Sequence, residues 1–186
     1  MTNSSSDEQA VGGAVTLGLL AAWALHDLEE LATVPGWWRR NLPALRERYP
    51  AVPEAVWRRA GAVEGREFAV AVGAMAAVVA SASVAGRLTG GRSAAYQTAL
   101  DAFGLHGLVH IAQAGLARGY TPGSATSPLV VVPFTLWARH RLRRAGVLRA
   151  TRPRDLAVGL GLAGAATVGA HAVARRLTGA TAARPR

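Results

Sequence analysis

No cysteine and no lysine occur in the 186 residues of this chain. Without cysteine there is no disulfide framework, and zinc or iron–sulfur sites built on thiolates are excluded. All 21 basic residues are therefore arginine, set against 11 acids, which gives a formal net charge of +10. With 51% hydrophobic residues the chain is not an intrinsically disordered one. A basic chain suggests a nucleic-acid partner when its cations form a patch or stripe on a recognisable binding motif. Here the arginines are segregated from the apolar segments, and no RNA-recognition, zinc-finger or helix-turn-helix pattern accompanies them. No nucleic-acid partner is expected.

Charge is also missing in long blocks. Residues 9–25, 68–86, 119–138 and 156–174 contain no Asp, Glu or Arg, and 93–117 contains Asp101 alone. A helix needs roughly 20 mostly apolar residues to cross the hydrocarbon core of a bilayer. The pattern predicts an all-α, polytopic transmembrane helix bundle with about five spans, near 11–34, 67–87, 94–118, 124–141 and 155–177. The fourth is short or kinked, because Pro122, Pro128 and Pro133 interrupt it, and such a segment is tolerated where protein surrounds the freed backbone groups. A polar tail over 1–10 and a basic tail over 178–186 flank this single domain. A cleavable signal peptide is not expected, since MTNSSSDEQ is polar and acidic where a signal carries positive charge.

The arginines frame the blocks. One cluster, from Arg39 to Arg66, lies in the first connection, and a second, from Arg139 to Arg154, lies in the fourth. There they meet anionic lipid headgroups. With five spans the clusters fall on opposite faces and the positive-inside rule is in conflict; if the fourth segment does not cross, both share one side. The first connection is the more securely assigned loop, which places it in the cytoplasm. Trp37, Trp38, Trp57 and Trp137 read as interfacial anchors, and the first connection as a segment riding on the membrane surface. Small residues at helical spacing, Gly73, Ala77 and Ala80 in the second span and several glycines in the fifth, permit close helix packing.

Against this apolar background a few ionisable groups stand out. His26, Glu29 and Glu30 in WALHDLEEL fall at i, i+3 and i+4, on one stripe of the first helix. In FGLHGLVHIAQ, His106 and His110 are four residues apart, and Gln113 follows on the same face. Ionisable groups inside a membrane are costly and usually face the bundle interior, paired or binding something. The first span runs towards the first connection, the second starts from it, and the third returns to it. His26, Glu29, Glu30, Glu64, Glu67, His106 and His110 are thereby expected at similar depth, near the face bearing residues 37–66. Two histidines at i, i+4 can address one metal, and bundles build such centres from facing helices. His26, Glu30, His106 and His110 are the expected metal ligands. Nitrogen and oxygen donors without sulfur suit zinc, iron or manganese. The same stripes can instead be His–Glu pairs binding helix to helix. Asp27 points about 100° away from the stripe and reads as a polar flank. Asp101 reads as structural, and His140 and His171 as non-functional.

The ordered combination resembles the HXXEE domain family of small prokaryotic membrane proteins. It rests on His26-Asp-Leu-Glu29-Glu30 followed by Pro35 and Trp37 or Trp38, on HGLVHIAQ at 106–113, and on GYTPGSATSPLVVVP at 119–133. That last run is similar to the family's Tyr-x-Pro segment leading into a Thr-Ser pair and a proline. The resemblance covers roughly residues 20–140. Some relatives carry an acidic pair in the second span, whereas FAVAVGAMAA has none and Glu67 sits just before it. This departure favours one metal over two.

The functional expectation is an integral-membrane enzyme using a divalent metal on a lipid or another membrane-soluble substrate, by hydrolysis or oxidation. Glu29, Glu30 and Glu67 are the catalytic candidates, and Gln113 and Tyr120 the candidates for substrate contact. A metal-free acid/base enzyme, such as an isoprenoid cyclase or isomerase, would use a buried Glu with a His partner. A proton or ion transporter, or an accessory subunit, would use the same pairs as a relay, although no inverted repeat is evident.

Overall fold

The computed structural model describes residues 11–62, 65–150, 161, 164–165, 168–174 and 176. Most of the fifth predicted span, both tails and Glu64 lie outside the described residues. The described chain is helical, with no strand. A single turn, α1 (Gly13–Thr16), leads into the long α2 (Gly18–Arg48), followed by α3 (Glu54–Gly61), α4 (Gly65–Leu88) and α5 (Ala94–Ala117). A π-helical turn (Ser127–Val131) then passes directly into α6 (Val132–Arg144).

The first predicted helix was bounded before Pro35, but α2 continues through Pro35 and Pro43 to Arg48. Proline costs a helix one hydrogen bond and a steric clash. The extended part of α2 contacts the end of α5 and the residues just after it. Trp37 Nε1 donates to the Tyr120 carbonyl at 2.7 Å, Arg48 Nη1 to the Ala117 carbonyl at 3.1 Å, and Tyr49 Oη to the Leu116 carbonyl at 2.9 Å. What looked like a surface connection is in its first half an extension of the helix.

The turn between α4 and α5 follows its composition. Gly90 and Gly91 take positive φ (59° and 85°), and Ser93 caps α5 by accepting from the Tyr96 N–H at 3.3 Å. Helices approach closely where glycine removes the Cβ. A Cβ on Gly86 would stand 2.5 Å from Tyr96 Cγ, and one on Gly107 would stand 2.7 Å from Val131 Cγ1. The apolar core, with Val15, Leu19, Tyr96, Leu100, Phe103, Val131, Ala138 and Leu142, occupies one half of the bundle, between α1, the start of α2, α5 and α6.

The contacts sort the bundle into two ends. One end gathers the α2 extension, the start of α4 near Pro35 and the end of α5. At the other end Gln97 Nε2 donates to the carbonyls of Gly91 and Val147, at 2.8 and 2.9 Å, joining the α4–α5 turn to the residues after α6. The fourth segment therefore runs the length of the bundle, with Arg48 of the first connection at one end and Arg149 at the other.

Among the described residues one helix, α4, is long and apolar enough to cross a membrane. Both α2 and α5 have the length, but α2 carries Asp27, Glu29 and Glu30 and α5 carries Asp101, His106, His110 and Gln113. The residues that mark the candidate site are the ones that lower the apolarity of its helices.

Candidate metal centre

His26 lies in the middle of α2 and is fully buried, and Glu30 follows one turn later. His106 and His110 face them from α5, His110 buried and His106 exposed at its outer edge. One donor atom from each of the four lies within 4.8 Å of the other three. The Nε2 atoms of His106 and His110 are 2.9 Å apart, and His110 Nε2 is 3.3 Å from Glu30 Oε1. The His26 ring stands edge-on to both, with centroid distances of 5.1 Å to His106 and 5.0 Å to His110.

Loop 119–126 inserts between α2 and α5 beside this group. Gly123 makes the insertion possible. Its φ is +79°, and a Cβ there would lie 2.7 Å from His110 Nδ1 and 2.8 Å from His26 Cε1. His110 Nδ1 is buried with no hydrogen-bond partner.

Glu29 serves the loop. Its carboxylate accepts from Tyr120 Oη at 2.7 Å, from the N–H groups of Ala125 and Thr126 at 3.2 and 2.8 Å, and from Thr126 Oγ1 at 2.6 Å. It thus satisfies backbone donors at the entrance to the π-helical turn, where anionic groups are favoured. Thr126 Oγ1 in turn lies 2.8 Å from His26 Nδ1. Tyr120 is 48% exposed. Partial burial, with the nearby Glu29 and Glu30 carboxylates, raises its phenol above the ordinary tyrosine range, so it stays a donor to Glu29 at neutral pH.

The sequence-derived candidates thus divide. His26, Glu30, His106 and His110 come together. Glu29 and Tyr120 meet each other in the loop contact. Glu67 stands apart from the four: its Oε1 is 3.0 Å from Nδ1 of His171, a residue expected to be without a role. Gln113 is exposed. Asp27, read as a polar flank, is instead buried at 7% exposure. Asp101 pairs with Arg139 of α6. Thr126 and Gly123 were not singled out from the sequence; the motif containing them was visible, but their contacts across about 100 residues of chain were not.

The donor set fits a divalent cation. Three imidazoles and one carboxylate are a common zinc, iron or manganese environment. In a tetrahedral site with bonds of about 2.0–2.1 Å the ligand atoms stand roughly 3.3 Å apart, close to the spacings already present around His110. His26 Nε2 is buried with no hydrogen-bond partner, an arrangement that costs energy unless the lone pair is used.

Fold and site together define an all-helical protein with a three-histidine, one-glutamate group between facing helices, able to hold a metal ion. The chain belongs to the family described as "Protein of unknown function with HXXEE motif", whose model matches residues 17–138. No curated protein and no solved structure matches it.

Proposed function

We propose that this protein is a multi-pass membrane enzyme that binds one divalent metal through His26, Glu30, His106 and His110. In this reading it acts on a lipid or another hydrophobic small molecule, by hydrolysis or oxidation. The observation that carries the metal reading is the convergence of four donor atoms within 4.8 Å, with His26 Nε2 and His110 Nδ1 both buried and without a hydrogen-bond partner. A divalent ion held there would supply Lewis acidity towards a carbonyl or a water molecule. The chain's own residues hold the ligands at fixed depth, and the loop at Gly123 closes the side of the site that faces between α2 and α5.

Support for the membrane reading comes from the distribution of polarity. Thr16, His26, Ser83 and Ser127 are fully buried, while Leu25, Leu28, Leu108, Leu129 and Leu136 are exposed. Exposed apolar surface of this extent marks contact with lipid or a partner. The exposed edge of His106 lies on such a surface, beside Val109. A substrate arriving through the hydrocarbon would reach the site there.

Elemental analysis of the detergent-purified protein tests the metal reading. One equivalent of zinc, iron or manganese in the wild type, lost in His26→Ala, is expected. Absence of stoichiometric metal from the wild type would sink it. The contact series His106–His110–Glu30, at 2.9 and 3.3 Å, favours a second reading, a metal-free acid/base enzyme. Catalysis persisting in metal-free protein with chelator present would select that one.

A further inference from the structure

Glu29 and Glu30 are neighbours in sequence, yet their surroundings give them different work. Glu30 belongs to the four-donor group. Glu29 accepts from four donors, two hydroxyls and two backbone N–H groups. An ionised carboxylate has about four acceptor positions, so Glu29 has little capacity left for a metal or a substrate.

Its consequence passes through Thr126. The threonine hydroxyl has one proton, and at 2.6 Å from Glu29 Oε2 that proton must lie between the two oxygens, since two acceptors at this distance repel. Thr126 Oγ1 therefore offers a lone pair to His26 Nδ1, at 2.8 Å, and His26 donates its Nδ1–H. A neutral imidazole carries one N–H. Nε2 is left as the bare donor atom, and it is this atom that is buried without a partner.

We infer that Glu29 and Thr126 are positioning residues that lock His26 in the Nδ1–H tautomer and aim Nε2 into the site. The motif's two glutamates are then a ligand, Glu30, and an orienting anion, Glu29. The identity of the bound species as a metal rests on the proposed function; the tautomer does not. Outer contacts of this kind typically contribute 10–100-fold to metal affinity. Tyr120 reaches Glu29 but not Thr126, so its hydroxyl is not needed for the tautomer.

Nitrogen-15 NMR of histidine-labelled, full-length, metal-free protein reads the tautomer directly, with the His26 signal assigned by its loss in His26→Asn. The wild type, Thr126→Ser and Tyr120→Phe are expected to show Nδ1–H, and Thr126→Val and Glu29→Gln to lose its dominance. Zinc titration should show Thr126→Val weakened roughly 10–100-fold and Thr126→Ser restored. An Nε2–H tautomer in the wild type, or zinc binding that is measurable and equally tight in wild type and Thr126→Val, would overturn the inference. If the tautomer follows this pattern while no variant binds zinc, iron or manganese, the positioning role stands and the metal reading falls.

Discussion

At the scale of single residues, the site is shaped as much by an absent side chain as by the four that converge. Gly123 holds the loop against the two buried imidazoles, with no space for a Cβ and a backbone conformation that L-residues rarely adopt. Gly123→Ala must therefore displace the loop, His26 or His110. Metal affinity is expected to fall about tenfold or more, the scale of lost outer contacts, and a competition titration with a chromophoric chelator measures it. Unchanged affinity would mean that the loop does not define the site. In the proposed metal reading Glu30→Gln removes the one anionic donor, and the same titration is expected to show weaker metal binding than in the wild type.

At the scale of the helix, small residues have opposite meanings along one element. On α4, Gly86 lies against the ring base of the fully buried Tyr96, whereas Gly73 has nothing within 4 Å of where its Cβ would be. Gly86→Ala is expected to destabilise the protein by about 1–3 kcal/mol through overpacking. Gly73→Ala is expected to leave stability unchanged or raise it by up to about 1 kcal/mol. Thermal unfolding in detergent compares the two, and a reversed order would contradict the packing described. The legibility of the sequence differed by element in the same way. The stripe positions of His26 with Glu30 and of His106 with His110 follow from helix periodicity, which is local. Beyond Pro35, α2 meets the Tyr120 carbonyl through Trp37, and Glu29 meets Thr126; both are contacts across about 80–100 residues. The burial of Asp27 was likewise invisible, because helix angle locates a face without saying what packs against it.

At the scale of the molecule, the chain's lack of cysteine turns topology into a direct measurement. Residues near Ala51 and near Ala150 are exposed and lie at opposite ends of the bundle. In Ala51→Cys and Ala150→Cys, a membrane-impermeant thiol reagent is expected to label from opposite faces of the membrane. Labelling from the same face would contradict the fourth segment's crossing. The proposed centre is one metal held by His26, His106, His110 and Glu30. X-ray absorption of the metal-loaded wild type tests it most directly. About three imidazole nitrogens and one oxygen are expected at roughly 2.0–2.1 Å for zinc, with imidazole scattering reduced in His106→Asn. A first shell of oxygens alone, unchanged by that substitution, would contradict it.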